Sequence, residues 1–182
     1  MCTTNVVAGS SECSNWLDQY LPALYGHLRQ KGWDGIWYQH VGDEAMSEKQ
    51  KEQYGYYIEK LKKYAPGIVC GDPTFSLDTS ESSMKQGADI SIPMETLYQN
   101  NKSLYDKYTA SGKMIYIYTS CEPGGIWLNR FIDKPVWHMR TLGWLCYKWG
   151  VYGYLFWGWN FWVDWFQTAL CTIEQENFKG DH

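Results

Sequence analysis

The sequence predicts an α/β fold of the (β/α) TIM-barrel type, built as a partial barrel of about five βα units with parallel strands. Strand-like and helix-like segments alternate along the chain, which favours a parallel sheet. The strand-like segments are almost continuously apolar, as expected when helices cover a sheet. The chain has 182 residues, whereas a whole eight-stranded barrel takes about 250. An open five-stranded sheet is the other arrangement that fits.

Start and stop signals place the elements in order. Residues 1–15 are small and polar and predict an unstructured leader, which leaves residues 16–182 as the domain. Asn15 is the candidate N-cap of the first helix and Gly32 its stop, and Ser47 caps the second helix. The predicted strands lie within residues 34–41, 67–73, 88–94, 113–120 and 151–159, and the predicted helices within residues 15–32, 47–67, 79–87, 95–112 and 133–150.

Composition excludes several classes of function. The net charge is −4 with acids and bases interspersed, so no basic surface is predicted for nucleic acid. The six cysteines form no C-x-x-C pair and no histidines have zinc spacing, which predicts free thiols, no metal and no other cofactor. The apolar run at residues 151–162 is too short to span a bilayer. The 11 Trp and 15 Tyr favour a surface that stacks on sugar rings.

Acids and aromatic side chains follow the predicted strands, where functional residues of parallel sheets collect. Glycoside cleavage needs a general acid for the departing oxygen and a second carboxylate for the charge that develops on the sugar. Alternatively, the acids after the first strand complement a helix dipole and the tryptophans pack in the core. The residues at the strand ends are His40, Asp43, Glu44, Asp72, Glu95, Tyr118, Glu122, Trp157, Trp159, Asn160 and Trp162.

The long block from Ile115 to Trp162 resembles the C-terminal part of glycoside hydrolase family 123 catalytic domains. Its matching features are a Tyr-rich strand, a Cys and Pro loop, an N-x-F-I-D motif before a helix, and a Trp strand that ends near Asn. Upstream, the Asp-Glu pair and a helix ending in Ala-Pro-Gly also match, with Ala45 where the family usually has Pro. The residues are Tyr116, Tyr118, Cys121, Pro123, Asn129 to Asp133, Arg140, Gly143, Trp144, Lys148 to Gly150, and Trp157 to Asn160.

The resemblance implies a barrel glycosidase that removes terminal β-linked N-acetylgalactosamine by substrate-assisted catalysis with retention. Glu44 would be the general acid and then the base, and Asp43 would orient the 2-acetamido group whose oxygen attacks the anomeric carbon. Because the nucleophile belongs to the sugar, two adjacent acids on one strand end suffice. The expected substrate-binding residues are His40, Asp72, Tyr118, Asn129, Arg140, Trp157, Trp159, Asn160 and Trp162.

Three other interpretations remain open. Glu44 and Glu122 follow the first and fourth strands and would be the acid/base and nucleophile of another type of retaining glycosidase. The chain could instead be a non-catalytic remnant that binds carbohydrate. A Cys121 nucleophile lacks a paired base in the sequence.

In barrel glycosidases of the type that the chain resembles, the acid pair follows the fourth strand, whereas here Asp43 and Glu44 follow the first predicted strand. We therefore expect the last five βα units of a barrel, which would need the missing N-terminal half or would self-associate through open sheet edges. The isolated chain is then expected to be weakly active or inactive. No signal peptide is recognisable, whereas the resemblance implies a secreted or periplasmic full-length protein.

Overall fold

A computed structural model describes residues 8–44 and 47–158 of the chain. Five parallel strands form one curled sheet in the order β1-β2-β3-β4-β5, with helices in the connections, so the predicted partial α/β barrel is confirmed. The elements are α1 Ser11–Lys31, β1 Tyr38–Gln39, α2 Glu48–Tyr64, β2 Val69–Thr74, α3 Leu77–Lys85, β3 Ile90–Pro93, α4 Glu95–Asn100, α5 Lys102–Ala110, β4 Met114–Thr119, α6 Trp137–Trp149 and β5 Gly153–Phe156.

The first helix begins earlier than the sequence predicts. Ser10, not Asn15, is the N-cap, because its side chain accepts a hydrogen bond from the Cys13 amide at 3.1 Å. Cys13 is buried against α2, so the added turn contributes to the core. Residues 11–15 are therefore helical, and the leader predicted for residues 1–15 is too long. The predicted stop is confirmed: Gly32 adopts the left-handed conformation that ends helices.

The second predicted helix forms with its predicted cap, whereas the fourth is divided into two shorter helices. Ser47 caps α2 in a full capping box with Gln50, as its position predicts. The helix expected across residues 95–112 is divided into α4 and α5 at Asn101. The Asn101 side chain donates to the Leu97 carbonyl at 2.9 Å, which satisfies an orphan carbonyl at the end of α4.

The two faces of the sheet have different coverings. On the outer face, Ile68 and Cys70 pack against α1 and α2, and Ile115 and Ile117 pack against Tyr105 of α5. The inner face carries a separate apolar cluster. Its buried members are Ile90, Ile92, Met94 and Tyr118, and its half-buried members include Tyr38, Val69, Tyr116 and Leu155. Tyr118 pairs in register with Leu155, so both side chains belong to the inner face.

The first strand is much shorter than the predicted segment at residues 34–41. Only Tyr38 and Gln39 pair with β2. Beyond His40, the amides of Val41 and Gly42 bond to the Asp72 side chain instead of continuing the ladder. This capture turns the chain away from the sheet directly before the acid pair. Among the described helices, none has the length and apolar character that a membrane crossing requires.

Candidate active site

Asp43 and Glu44 lie just beyond the carboxyl end of β1, on a loop held by Asp72. Asp72 Oδ1 accepts the backbone amides of Val41 at 2.8 Å and of Gly42 at 3.0 Å. Asp72 is only 4% exposed, so this carboxylate faces the loop and not the solvent. Asp72 was predicted to bind substrate. Its hydrogen bonds to the Val41 and Gly42 amides instead anchor the acid-pair loop.

His40 is joined to the same carboxylate. Its Nδ1 lies 2.7 Å from Asp72 Oδ1, while 49% of the imidazole side chain is exposed. The hydrogen bond to Asp72 raises the His40 pKa, with partial burial opposing the effect and the charges of Asp72 and Asp43 adding to it. His40 therefore presents a fixed, partly exposed imidazole beside the acid pair.

Glu44 is held in an uncommon backbone conformation. Its φ is 45°, in the left-handed region that residues other than glycine seldom adopt. Such a conformation costs about 1 kcal/mol or more and persists where surrounding contacts determine it. One such contact is a hydrogen bond from the Tyr118 hydroxyl to Glu44 Oε1.

Tyr118 brings the end of β4 to the acid pair. Two strands separate β1 from β4, a span of about 14 Å across a flat sheet at normal strand spacing. The contact therefore depends on the curl of the sheet and places Glu44 over the inner face. Burial, followed by the hydrogen bond to Glu44, raises the Tyr118 pKa, so the hydroxyl keeps its proton and acts as the donor.

The floor below this contact is apolar. Met94 follows β3 and forms an isolated β-bridge with Tyr118. Ile92, two residues before Met94, is buried in the same cluster. Tyr38 closes the floor on the side of β1, where its hydroxyl donates to the Gly71 carbonyl at 2.6 Å. A site with acids on one wall and an apolar floor suits a sugar ring, which has polar edges and apolar faces.

Two predicted substrate-binding residues lie elsewhere. Asn129 is fully buried, and its amide nitrogen donates to the carbonyls of Pro123 at 3.0 Å and Ser120 at 3.2 Å. It therefore fixes the loop between β4 and α6 and has no exposed surface to offer a sugar. Arg140 is exposed on α6, in the helix layer. None of its described contacts joins it to the acid pair.

The predicted tryptophan surface lies largely outside the described residues. Trp157 follows β5 directly and is 55% exposed, with its ring centroid 6.1 Å from that of Phe156. Trp159, Asn160 and Trp162 are not among the residues that the structure describes. Phe75, directly after β2, is a further exposed aromatic residue at the strand ends that the sequence analysis did not select.

Glu95 is a functional candidate whose environment the sequence does not reveal. It follows β3 and is 2% exposed, and burial raises its pKa to about 7 even though the Leu128 amide donates to it. Its Oε2 has no hydrogen-bond partner within the described part of the chain. Its position after a strand was visible in the sequence, but its burial beneath the β4–α6 loop was not.

The structure offers no metal-binding arrangement in its described part, since residues 8–44 and 47–158 contain no group of three His, Cys, Asp or Glu side chains suited to an ion.

A comparison with family models gives a match to "Glycoside hydrolase 123, catalytic domain" over residues 1–182, the whole chain. A comparison with curated proteins gives no match.

Proposed function

The chain belongs to the glycoside hydrolase 123 catalytic domains, and from this premise we propose that it carries the acid pair of a retaining β-N-acetylgalactosaminidase. Membership makes it a glycoside hydrolase domain with a carbohydrate substrate. The proposal adds the sugar, a terminal β-linked N-acetylhexosamine, and the use of its 2-acetamido group as the nucleophile.

In the proposed first step, the acetamido oxygen attacks the anomeric carbon and the glycosidic bond breaks. The departing oxygen takes a proton from Glu44, and Asp43 accepts the acetamido N–H and stabilises the positive charge of the oxazolinium ring. In the second step, Glu44 removes a proton from water, whose oxygen attacks the same carbon. The ring opens, and the acetamido group and both carboxyl groups return to their starting states.

The contact between Tyr118 and Glu44 is the observation that carries this proposal. It places one acid of the pair over the inner face of the sheet, with a protonated hydroxyl beside it. A sugar that enters between them would exchange this hydrogen bond for its own, which leaves the Tyr118 hydroxyl to donate to the acetamido oxygen. This exchange is consistent with the substrate-binding role predicted for Tyr118.

The adjacency of Asp43 and Glu44 also supports a sugar-borne nucleophile. A retaining glycosidase with a protein nucleophile needs two carboxyl groups about 5 Å apart on opposite sides of the scissile bond. Glu122 is the alternative second carboxylate, but it is exposed on the loop beyond β4. Tyr118, not Glu122, is the residue near the end of β4 with a described bond to Glu44.

The experiment that tests this function compares two nitrophenyl glycosides, one with a 2-acetamido group and one with a 2-hydroxyl. The expected result is weak cleavage of the 2-acetamido substrate alone, and Glu122→Gln should leave that cleavage unchanged. Glu44→Gln should abolish cleavage of N-acetylgalactosaminides with poor leaving groups, because no proton then reaches the departing oxygen. Equal cleavage of both substrates would reject the substrate-assisted mechanism. Loss of activity in Glu122→Gln, with a trapped glycosyl-enzyme, would favour the alternative pair.

A further inference from the structure

Phe75 is an aromatic residue at the carboxyl edge of the sheet, directly after β2, that the proposed reaction does not use. Its surface is 50% exposed. Among the residues that the structure describes, no other ring and no cation stacks on it. A single exposed apolar residue needs no explanation by itself, so the position of Phe75 decides what it can do.

The side chain of Phe75 belongs to the inner face of the sheet. Side chains alternate between the two faces along a strand. In β2, Cys70 packs against the helices of the outer face, and the Thr74 hydroxyl lies 2.6 Å from the Ser80 hydroxyl of α3, on the same side. Phe75 directly follows Thr74, so its ring is directed to the opposite face, which also carries Tyr118.

The strand register places Phe75 at the level of the acid site. The Met94 amide donates to the Thr74 carbonyl at 3.3 Å, so Phe75 lies beside Met94 at the edge of the sheet. Met94 in turn pairs with Tyr118, which completes a row of three neighbours. The bond from Tyr118 to Glu44 spans the ends of β2 and β3, and thus spans this row. Met94 is buried within the row, whereas Phe75 is its exposed member.

The direction of the row indicates which part of a substrate reaches Phe75. In the proposed function, on which this inference rests, Tyr118 donates to the acetamido oxygen and Glu44 protonates the departing oxygen. Tyr118 lies at the β4 end of the row and the acid pair at the β1 end, so the departing group lies towards β1 and β2. Phe75 is an exposed ring at that end.

We propose that Phe75 forms the leaving-group subsite, where its ring stacks on the face of the hexose to which the terminal N-acetylgalactosamine is β-linked. The C–H groups on the face of a pyranose form an apolar surface that matches a phenyl ring. Phe75 carries no group that donates or accepts a proton. Its role is therefore to position the departing sugar and to favour a pyranose over a small leaving group.

Saturation-transfer NMR on the full chain tests the proposal, because it detects weak binding and reports which ligand protons contact the protein. The probe is N-acetylgalactosamine β-1,4-linked to glucose, and the parent protein is Glu44→Gln, so that the probe is not cleaved. The expected result is saturation of protons on both sugars. Adding Phe75→Ala should lower saturation of the glucose ring protons at least about threefold relative to the N-acetylgalactosamine protons, because the apolar contact is lost.

Two further variants separate the ring from a general effect of substitution. Phe75→Tyr retains the ring and should retain saturation of the glucose protons. Tyr147→Ala removes an exposed aromatic side chain from α6, in the helix layer, and should leave both sugars unchanged. The N-acetylgalactosamine signal is the internal check that each variant keeps a folded site.

The outcomes separate the subsite from the proposed function. Unchanged saturation of glucose in Phe75→Ala would overturn the subsite and leave the proposed function intact. Saturation of the N-acetylgalactosamine protons alone in the parent protein would do the same, because the departing sugar would then extend into solvent. Equal loss of both signals in Phe75→Ala would overturn a role confined to the departing sugar. Saturation of neither sugar in the parent protein would contradict the proposed function itself.

Discussion

The hydroxyl of Tyr118 in β4 donates a hydrogen bond to the carboxylate of Glu44 beyond β1. Glu44 follows β1 and Tyr118 lies in β4, and two other strands separate β1 from β4. The bond therefore depends on the curl of the sheet as well as on the position of the acid. A flat open sheet with the same strand order would keep the two residues apart. This contact is therefore a point at which fold and proposed chemistry can be tested together.

Tyr118→Phe removes this donor and leaves the ring. We expect kcat/KM for the nitrophenyl β-N-acetylgalactosaminide to fall about 10- to 100-fold, because a hydrogen bond to a charged group is worth about 1.5–3 kcal/mol. Tyr116→Phe is the matched control, since Tyr116 belongs to the same strand and the same inner cluster. Equal losses in both variants would show that the Tyr118 hydroxyl has no special role.

Asp72→Asn tests the anchor of the acid-pair loop. We expect the His40 pKa, measured by NMR titration, to fall, because the hydrogen bond to Asp72 is the main cause of its elevation. Because the His40 pKa is higher in the folded chain than in the unfolded chain, protonated His40 stabilises the fold at any pH below its unfolded pKa. This stabilisation is lost as the pH rises through its folded pKa. The wild type should therefore lose stability across that window in urea titrations, and the variant should lose less.

The matched control for this variant is Asp106→Asn, which removes a carboxylate of the surface ion pair with Lys102. It should leave the His40 titration unchanged. An unchanged His40 pKa in Asp72→Asn would contradict the assigned contact between His40 and Asp72.

Glu95→Gln tests the buried acid beneath the β4–α6 loop. The folded pKa of about 7 exceeds the ordinary value of 4.5, so the unfolded chain releases its proton first as the pH rises. Stability should consequently fall between about pH 4.5 and pH 7, by about 3 kcal/mol for this group. We expect Glu95→Gln to remove that part of the slope in urea unfolding, whereas Glu81→Gln, a more exposed control, should retain it. Identical slopes in both variants would show that Glu95 is not buried as an acid.

The fold class could be predicted because it depends on patterns that the sequence displays locally. Apolar strands, the capping box at Ser47 and the stop at Gly32 each specify an element without reference to the rest of the chain. The start of α1 was predicted too late, at Asn15, because Asn is a good cap, whereas the helix begins after Ser10. Burial of Cys13 against α2, a contact between distant segments, favours the earlier cap.

The site shows the same division between local and tertiary information. The position of Asp43 and Glu44 beyond a strand followed from the order of the elements. The anchoring role of Asp72, the burial of Asn129 and the raised pKa of Glu95 depend on which loops fold over them. A polar residue at a strand end has the same sequence signature whether it faces the substrate or a loop amide.

The most direct test of the central claim is the affinity of a thiazoline that mimics the cyclised N-acetylgalactosamine intermediate, measured by calorimetry on the full chain. This measurement needs no turnover. The account predicts that the wild type binds the thiazoline and that Asp43→Asn weakens binding at least about tenfold, because the carboxylate stabilises the charged ring. Glu122→Gln should bind as the wild type does. Equal affinity for the wild type and Asp43→Asn would contradict the assignment of Asp43 and Glu44 as the substrate-assisting pair.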